Sequence, residues 1–189
     1  MQPLLRLPVR SSAGMRKLTL LSLSLLLTAA IVADEPAKKP LSPATKTEAT
    51  VGGKHITIDY SAPSKRDRVI MGGLVPYGKV WRTGANQATT LKTDTDLMIG
   101  SIHVPAGTYT LFTIPNEKEW TLIVNKQSGL WGTNSYDEKQ NLGQTKMTVS
   151  APKKPVETFC IVLPSSKEQK STLSMMWENT QASVPVIVH

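Results

Sequence analysis

The sequence predicts an all-β, antiparallel domain. Three observations predict it: short runs in which apolar and polar residues alternate, turn-forming residues between these runs, and no stretch of helical length after residue 46 that keeps a helical period. About ten strands at this spacing are typical of an antiparallel two-layer sandwich, and a jelly roll is one arrangement that fits.

The first predicted element is a hairpin around Gly52 and Gly53. Two adjacent glycines supply the positive φ angles that a tight hairpin needs. In the run 55–60 after the turn, apolar side chains alternate with polar ones. Because successive side chains of a strand point to opposite faces, this alternation places Asp59 on the solvated face.

The remaining strands are predicted from the same alternation. Their predicted ranges are 88–93, 97–99, 102–104, 108–114, 120–125, 145–150, 156–163, 173–177 and 184–188. Clusters of Gly, Pro, Asn, Asp and Ser lie between most of them, and these are the residues that turns favour. The pattern therefore predicts a sequence of short strands joined mainly by tight connections.

Residues 1–33 have the pattern of a secretory signal peptide, with basic residues, an apolar run over 18–32 and small residues before Asp34. The apolar run of about 15 residues is shorter than the roughly 20 that cross a bilayer as a helix. We therefore expect a periplasmic or secreted protein that meets a membrane only through this segment; an uncleaved anchor is the alternative. Met15 begins a complete signal of its own, so Met1 and Met15 both remain candidate starts.

The rest of the chain divides into a linker and one domain. Residues 34–46 are rich in Pro, Ala and Lys, a composition typical of a disordered linker, and residues 47–189 form the predicted β-sandwich domain. The formal net charge is +8, but residues 1–33 carry four basic and no acidic residues, so half of it lies in the predicted signal. The modest remaining charge and the lack of a motif argue against nucleic-acid binding.

Two long excursions leave the predicted sheet. Residues 61–87 form a connection with several basic residues, glycines and aromatic side chains; connections this long are usually functional or disordered, and the aromatic content argues against disorder. Residues 126–143 combine Trp, Tyr, Asn and Asp, a composition that suits contact with a sugar or a peptide. We expect a small molecule, sugar or peptide ligand between them.

The candidate ligand-binding residues in these excursions are Trp81, Arg82, Asn86, Gln87, Trp131, Tyr136 and Asp137. The guanidinium of Arg82 suits a carboxylate or phosphate, while the indoles supply apolar walls and the polar side chains orient the ligand. The alternative is structural: Arg82 ties the connection to backbone carbonyls and Trp81 belongs to the core.

Catalytic and metal motifs are weak. The histidines His55, His103 and His189 match no metal-ligand spacing, so neither a metal site nor a cofactor is predicted. Ser150 has the S-x-x-K spacing, but neighbouring prolines put it at a strand end rather than on the helix this chemistry needs. Cys160 is the single cysteine, so an internal disulfide is excluded. It lies in an apolar run that is predicted to be a strand, and we expect an inert, packed thiol rather than a nucleophile.

Four stretches resemble the bacterial family called domain of unknown function 2911. They are residues 73–89 (GLVPYGKVWRTGANQAT), 105–115 (PAGTYTLFTIP), 119–126 (EWTLIVNK) and the Trp131-Gly132 pair. The resemblance implies an exported, all-β protein and no assigned activity. Two positions depart from the family pattern: Gln87 stands where Glu is common, and residues 141–144 (NLGQ) stand where an acidic residue and an arginine are usual.

We therefore expect a non-catalytic ligand-binding module. One alternative is a hydrolase that uses Asp59, Asp137 or Glu119 as acid and base, which requires a carboxylate with a raised pKa in a pocket. Another is a cell-envelope module that binds a protein partner through an exposed sheet edge. The sequence specifies neither the ligand nor the oligomeric state.

Overall fold

The computed structural model describes residues 40–189 and has an all-β, antiparallel fold of 11 strands. The strands are β1 (Ala44–Val51), β2 (Lys54–Ser61), β3 (Thr89–Thr93), β4 (Leu97–Ile99), β5 (Ile102–Val104), β6 (Gly107–Ile114), β7 (Glu119–Asn125), β8 (Asn141–Ser150), β9 (Val156–Val162), β10 (Lys170–Glu178) and β11 (Thr180–Val188). The described part has one helical element, a single 3-10 turn at Glu138–Gln140, and no helix there is long and apolar enough to cross a membrane.

One sheet contains all the strands, and it is nearly closed. Nine strands follow the order β1-β2-β3-β6-β7-β8-β11-β10-β9, while β4 pairs with β11 and carries β5. The two ends of this order meet at Ser166, after β9. The Ser166 N–H donates to the Thr50 carbonyl at 2.9 Å, and its carbonyl accepts from the Gly52 N–H at 3.0 Å.

The hairpin predicted at Gly52 and Gly53 is present, with φ angles of 55° and 81° that suit a two-residue turn. The predicted start of the domain needs correction, because β1 begins at Ala44 and residues 44–46 of the predicted linker belong to the sheet. The inward positions of early β1 carry threonines, whose polarity hid the alternation. The predicted signal peptide and residues 34–39 lie outside the described residues.

Three strands begin well before their predicted ranges, β8, β10 and β11, whereas β2, β6 and β7 differ from theirs by a single residue at one or both ends. The start of β8 is polar and contains a glycine, which is typical of a turn. In the fold, however, Gly143 pairs with Val124 and Gln144 with Ile123, because the neighbouring strand β7 continues the ladder. Strand pairing thus outweighs the local preference of these residues.

The core has two parts on opposite faces of β6 and β7. The larger part fills the inside of the sheet and contains a contiguous aromatic group of Tyr60, Trp81, Trp120, Phe159 and Trp177. The smaller part consists of Ala88, Phe112 and Ile123 and is covered by residues of both excursions. Both excursions therefore pack on this smaller apolar cluster of the sheet.

Candidate functional site

The long connection, residues 61–87, is bound to the sheet from two sides. On one side the backbone of Trp81 exchanges hydrogen bonds with Thr113 of β6, at 2.7 and 2.9 Å. On the other side the Phe159 N–H of β9 donates to the Pro63 carbonyl at 2.8 Å. These bonds fix a segment that has no regular secondary structure of its own, and they position its side chains over one end of the core.

Backbone strain is concentrated in this connection. Of the five described non-glycine residues with positive φ, four lie in it: Arg66, Asp67, Thr83 and Asn86. A left-handed φ of 58° is most unusual for a β-branched residue such as Thr83. Thr83 is fully buried, and its carbonyl accepts a 2.6 Å hydrogen bond from the Thr89 hydroxyl. Strain held in this way is common at functional sites.

A cavity of about 350 Å³ lies beneath the connection, and we call it the arginine cavity. Its apolar walls include Pro63, Leu74, Val75, Trp81 and Trp177. The indoles of Trp81 and Trp177 are nearly parallel, with their centroids 6.0 Å apart. Trp81 is only 8% exposed, so it belongs to the core and also forms part of the cavity wall.

All three arginines of the described residues line this cavity: Arg66, Arg68 and Arg82. No aspartate or glutamate lines it. Each of the seven ion pairs within residues 40–189 takes its cation from a lysine or a histidine, so none of the three arginines has a carboxylate partner there. The cavity is therefore cationic and lacks an internal counterion among the described residues.

Arg82 is the most enclosed of the three. Its Nε is buried and has no hydrogen-bond partner within the described part of the chain. Desolvation lowers the pKa of the Arg82 guanidinium below its ordinary value, because burial destabilises the charged form. Arginine nevertheless remains charged at neutral pH, so the cavity holds a cation with unused hydrogen-bonding capacity.

Arg66 and Arg68 lie at the mouth of the cavity and shape its border. The Arg66 Nη2 donates to the carbonyl of Leu41, and Arg68 donates to the Ser64 carbonyl at 2.6 Å. Leu41 and Ser42, which precede β1, also line the cavity. The residues just before the first strand thus complete one wall.

Asn86 lines the same cavity, whereas Gln87 and Trp131 do not. The Asn86 amide donates to the Ser42 carbonyl and to the Ser61 hydroxyl, both at 3.3 Å. Gln87 forms an antiparallel bridge with Trp131, whose side chain is 66% exposed. Gln87 lines a separate pocket together with residues of β1, β2 and β3.

Tyr136 and Asp137 lie in a different environment from the arginine cavity. The Tyr136 ring packs on Phe112, with centroids 4.9 Å apart, and its hydroxyl accepts from the Asn141 amide at 2.9 Å. The Asp137 carboxylate caps the 3-10 turn by accepting from the Lys139 N–H at 3.0 Å. Of the seven predicted site residues, the structure therefore gathers Trp81, Arg82 and Asn86 at one cavity.

The carboxylates considered for catalysis lie outside the arginine cavity. Asp59 pairs with Lys92 at 2.9 Å, and Glu119 pairs with Lys146 at 2.8 Å on the surface. Among residues 40–189, no group of three or more His, Cys, Asp or Glu residues is arranged to hold a metal ion. Among the described residues, the arginine cavity thus gathers three arginines that have no carboxylate partner.

The sequence analysis did not single out Arg66 and Arg68, which line the arginine cavity. A signal was present, because every arginine after residue 40 falls between positions 66 and 82 while 13 lysines are spread along the same part of the chain. Arginine and lysine are not interchangeable, so their different distribution carries information.

Comparisons with known proteins place the chain in a family. A family model described as a protein of unknown function (DUF2911) matches residues 42–186, which include every described strand except the end of β11. A search of the curated proteins and a search of the solved structures give no match. Since the model covers most of the chain, the protein belongs to the DUF2911 family.

Proposed function

We propose that this protein is a non-catalytic binding module that holds an anionic ligand in the arginine cavity. The observation that carries the proposal is the convergence of Arg66, Arg68 and Arg82 on one cavity that no carboxylate lines. Cations gathered without a counterion repel one another, and an anion from outside removes this cost. The ligand is a small molecule, or part of a sugar or peptide, that carries such a group.

The choice of arginine supports a recognition role. The guanidinium presents several N–H donors in a flat fork that matches a carboxylate or a phosphate. At the protein surface, the described ion pairs are made by lysine and histidine instead. All three described arginines lie at this cavity, and Arg82, whose Nε has no partner, is the one best placed for planar recognition.

The hydrolase alternative has weaker support. Asp137 caps a turn, and Asp59 and Glu119 are paired with lysines. None of these carboxylates lines the arginine cavity. The sheet-edge alternative also has weaker support, because the two ends of the strand order bond to each other around Ser166.

Export and the finer architecture are part of the same proposal. A periplasmic or secreted location rests on the signal pattern of residues 1–33. A two-layer sandwich is supported by the larger part of the core, which is packed between facing strands of the nearly closed sheet. A rigid β scaffold with an irregular binding segment is a common arrangement for recognition.

Titration with inorganic phosphate and acetate, followed by calorimetry, tests the proposal. We expect Arg82→Met to weaken binding of the better of the two anions by about 10- to 100-fold, since a charge-assisted hydrogen bond contributes roughly 1.5–3 kcal/mol. Lys79→Met is the matched control: Lys79 is exposed in the same connection, does not line the cavity and should leave affinity unchanged. Equal binding by the wild type and Arg82→Met would contradict the proposal.

A further inference from the structure

We infer that the ligand of the arginine cavity is amphiphilic, with one anionic head and an apolar body, rather than an inorganic anion or a sugar phosphate. The inference rests on the proposed anion-binding function and adds the chemistry of the rest of the ligand. It follows from the walls of the cavity that face the three arginines.

The wall provided by the core is aromatic and aliphatic. Trp81 and Trp177 contribute nearly parallel indoles, and Val75 lies 3% exposed beside them in the cavity lining. The Nε1 atoms of both indoles are already used, since Trp81 donates to the Gly84 carbonyl and Trp177 to the Glu157 carbonyl, each at 3.1 Å. Only a small, apolar part of these side chains remains accessible, 8% of Trp81 and 1% of Trp177, so they form a hydrophobic floor without free hydrogen-bonding groups.

A ligand body rich in hydroxyl groups would lack partners on this wall. The one side-chain amide that lines the cavity, Asn86, already uses its Nδ2 to donate to Ser42 and Ser61. Burying a hydroxyl without a hydrogen bond is unfavourable, whereas burying a methylene is favourable by about 0.8 kcal/mol. The wall thus selects an apolar body.

The mouth of the cavity continues this apolar surface. Leu41 and Leu74 line the cavity and are 67% and 48% exposed. Large aliphatic side chains exposed next to a pocket are typical of ligand-binding grooves. Since Arg66 and Arg68 also lie at the mouth, charge and apolar surface occur together there, as an amphiphile requires.

The volume is adequate for such a ligand. A cavity of about 350 Å³ is near the lower end of the range for small-molecule sites, which begins at roughly 300 Å³. An anionic head with a short chain or a ring fits this size. Longer bodies would extend over the two exposed leucines.

A series of linear carboxylates from acetate to octanoate tests the inference by calorimetry, with hexyl phosphate and hexanol as further arms. We expect hexanoate to bind at least about tenfold more tightly than acetate, because each fully buried methylene can strengthen binding up to about fourfold. Hexanol, which lacks the charge, should bind more weakly than hexanoate. Hexanoate and hexyl phosphate separate a carboxylate head from a phosphate head. Tighter binding of hexanoate than of acetate, or of hexyl phosphate than of inorganic phosphate, supports the inference.

Two variants locate the apolar part. Leu74→Ser should weaken hexanoate binding by a larger factor than acetate binding, because Leu74 lines the cavity with an apolar side chain that a longer chain can contact. Val69→Ser is the control, because Val69 is 71% exposed on the same turn and does not line the cavity. If acetate and phosphate bind as tightly as hexanoate, the inference is overturned while the anion-binding function stands. If none of the anions binds, both are overturned.

Discussion

The long connection, residues 61–87, and the 126–143 loop both combine tryptophan, glycine and polar side chains, yet they treat their polar groups differently. In the 126–143 loop the polar groups serve one another: Asp137 caps a turn, the Gln127 side chain accepts from the Asp137 N–H, and the Tyr136 hydroxyl accepts from Asn141. In the long connection, Arg82 has a buried Nε without a partner in residues 40–189. Satisfied polar groups are typical of a scaffold, and the unsatisfied Arg82 Nε supports the proposed binding role of the connection.

The two regions also differ in how closely their backbones approach other atoms. A Cβ on Gly84, in the connection, would lie 2.8 Å from the Ser61 carbonyl oxygen, and Gly84 has a φ of 150°. A Cβ on Gly132, in the loop, would meet no atom within 4 Å, although its φ is 66°. The connection is held tightly against the sheet, whereas the loop has space around its turn.

This contrast gives the largest expected effect on stability. Gly84→Ala should lower the free energy of unfolding by about 2–4 kcal/mol, because overpacking against a fixed backbone adds to the cost of a positive φ. Gly132→Ala should cost about 1–2 kcal/mol, since only the backbone conformation is unfavourable. Urea denaturation measures both changes. Equal losses would show that the two backbones are equally constrained and would remove this part of the contrast.

A second pair of variants separates stability from binding. Asp137→Ala should lower the free energy of unfolding by about 1 kcal/mol through loss of the cap, and it should leave anion affinity unchanged. Arg82→Met should abolish most anion binding with little loss of stability, because methionine fills similar space without a desolvated charge. Thermal unfolding and calorimetry on the same samples test this. A large loss of stability in Arg82→Met would mean that Arg82 is part of the scaffold.

The sequence was sufficient to predict the scaffold because strand pairing follows a local alternation. The hairpin at Gly52 and Gly53 and the strands from β3 to β7 lie close to their predicted ranges. The start of β1 is not evident from the sequence, because threonines occupy its inward positions. The start of β8 is not evident either, because its polar residues form a strand only through pairing with β7. Such pairing is a long-range property that a local pattern does not contain.

The candidate site was predictable in part. Arg82, Trp81 and Asn86 stand close together in the sequence, and the structure keeps them together at one cavity. Arg66 joins them only because the connection is bonded to β6 near Trp81 and to β9 near Pro63, which brings distant residues to the same place. Tertiary packing likewise determines whether the Arg82 guanidinium binds a backbone carbonyl or lines a cavity, and a local sequence pattern does not contain this information.

The smallest expected effect concerns the reactivity of the Cys160 thiol. This residue lies on β9, the strand to which the long connection is hydrogen-bonded at Pro63. It is half-buried on β9, next to Phe159, whose N–H holds Pro63. Burial raises the pKa of the Cys160 thiol, so the native state keeps its proton to a higher pH than the unfolded state does. The resulting contribution to stability is complete below the unfolded pKa and is lost as the pH rises through the folded pKa.

Alkylation of Cys160 by iodoacetamide should therefore be slower in the native protein than in the unfolded chain, and its pH profile should be displaced upwards, because the thiolate is the reactive form. Mass spectrometry can follow the reaction, and the chain has no other cysteine. Gly84→Ala, which strains the connection, should speed alkylation by more than its larger loss of unfolding free energy accounts for, since the connection and not the loop is bonded to β9. Accelerations that follow the measured loss of unfolding free energy in both variants would show that β9 responds to global stability alone, and the local link between β9 and the connection would then be wrong.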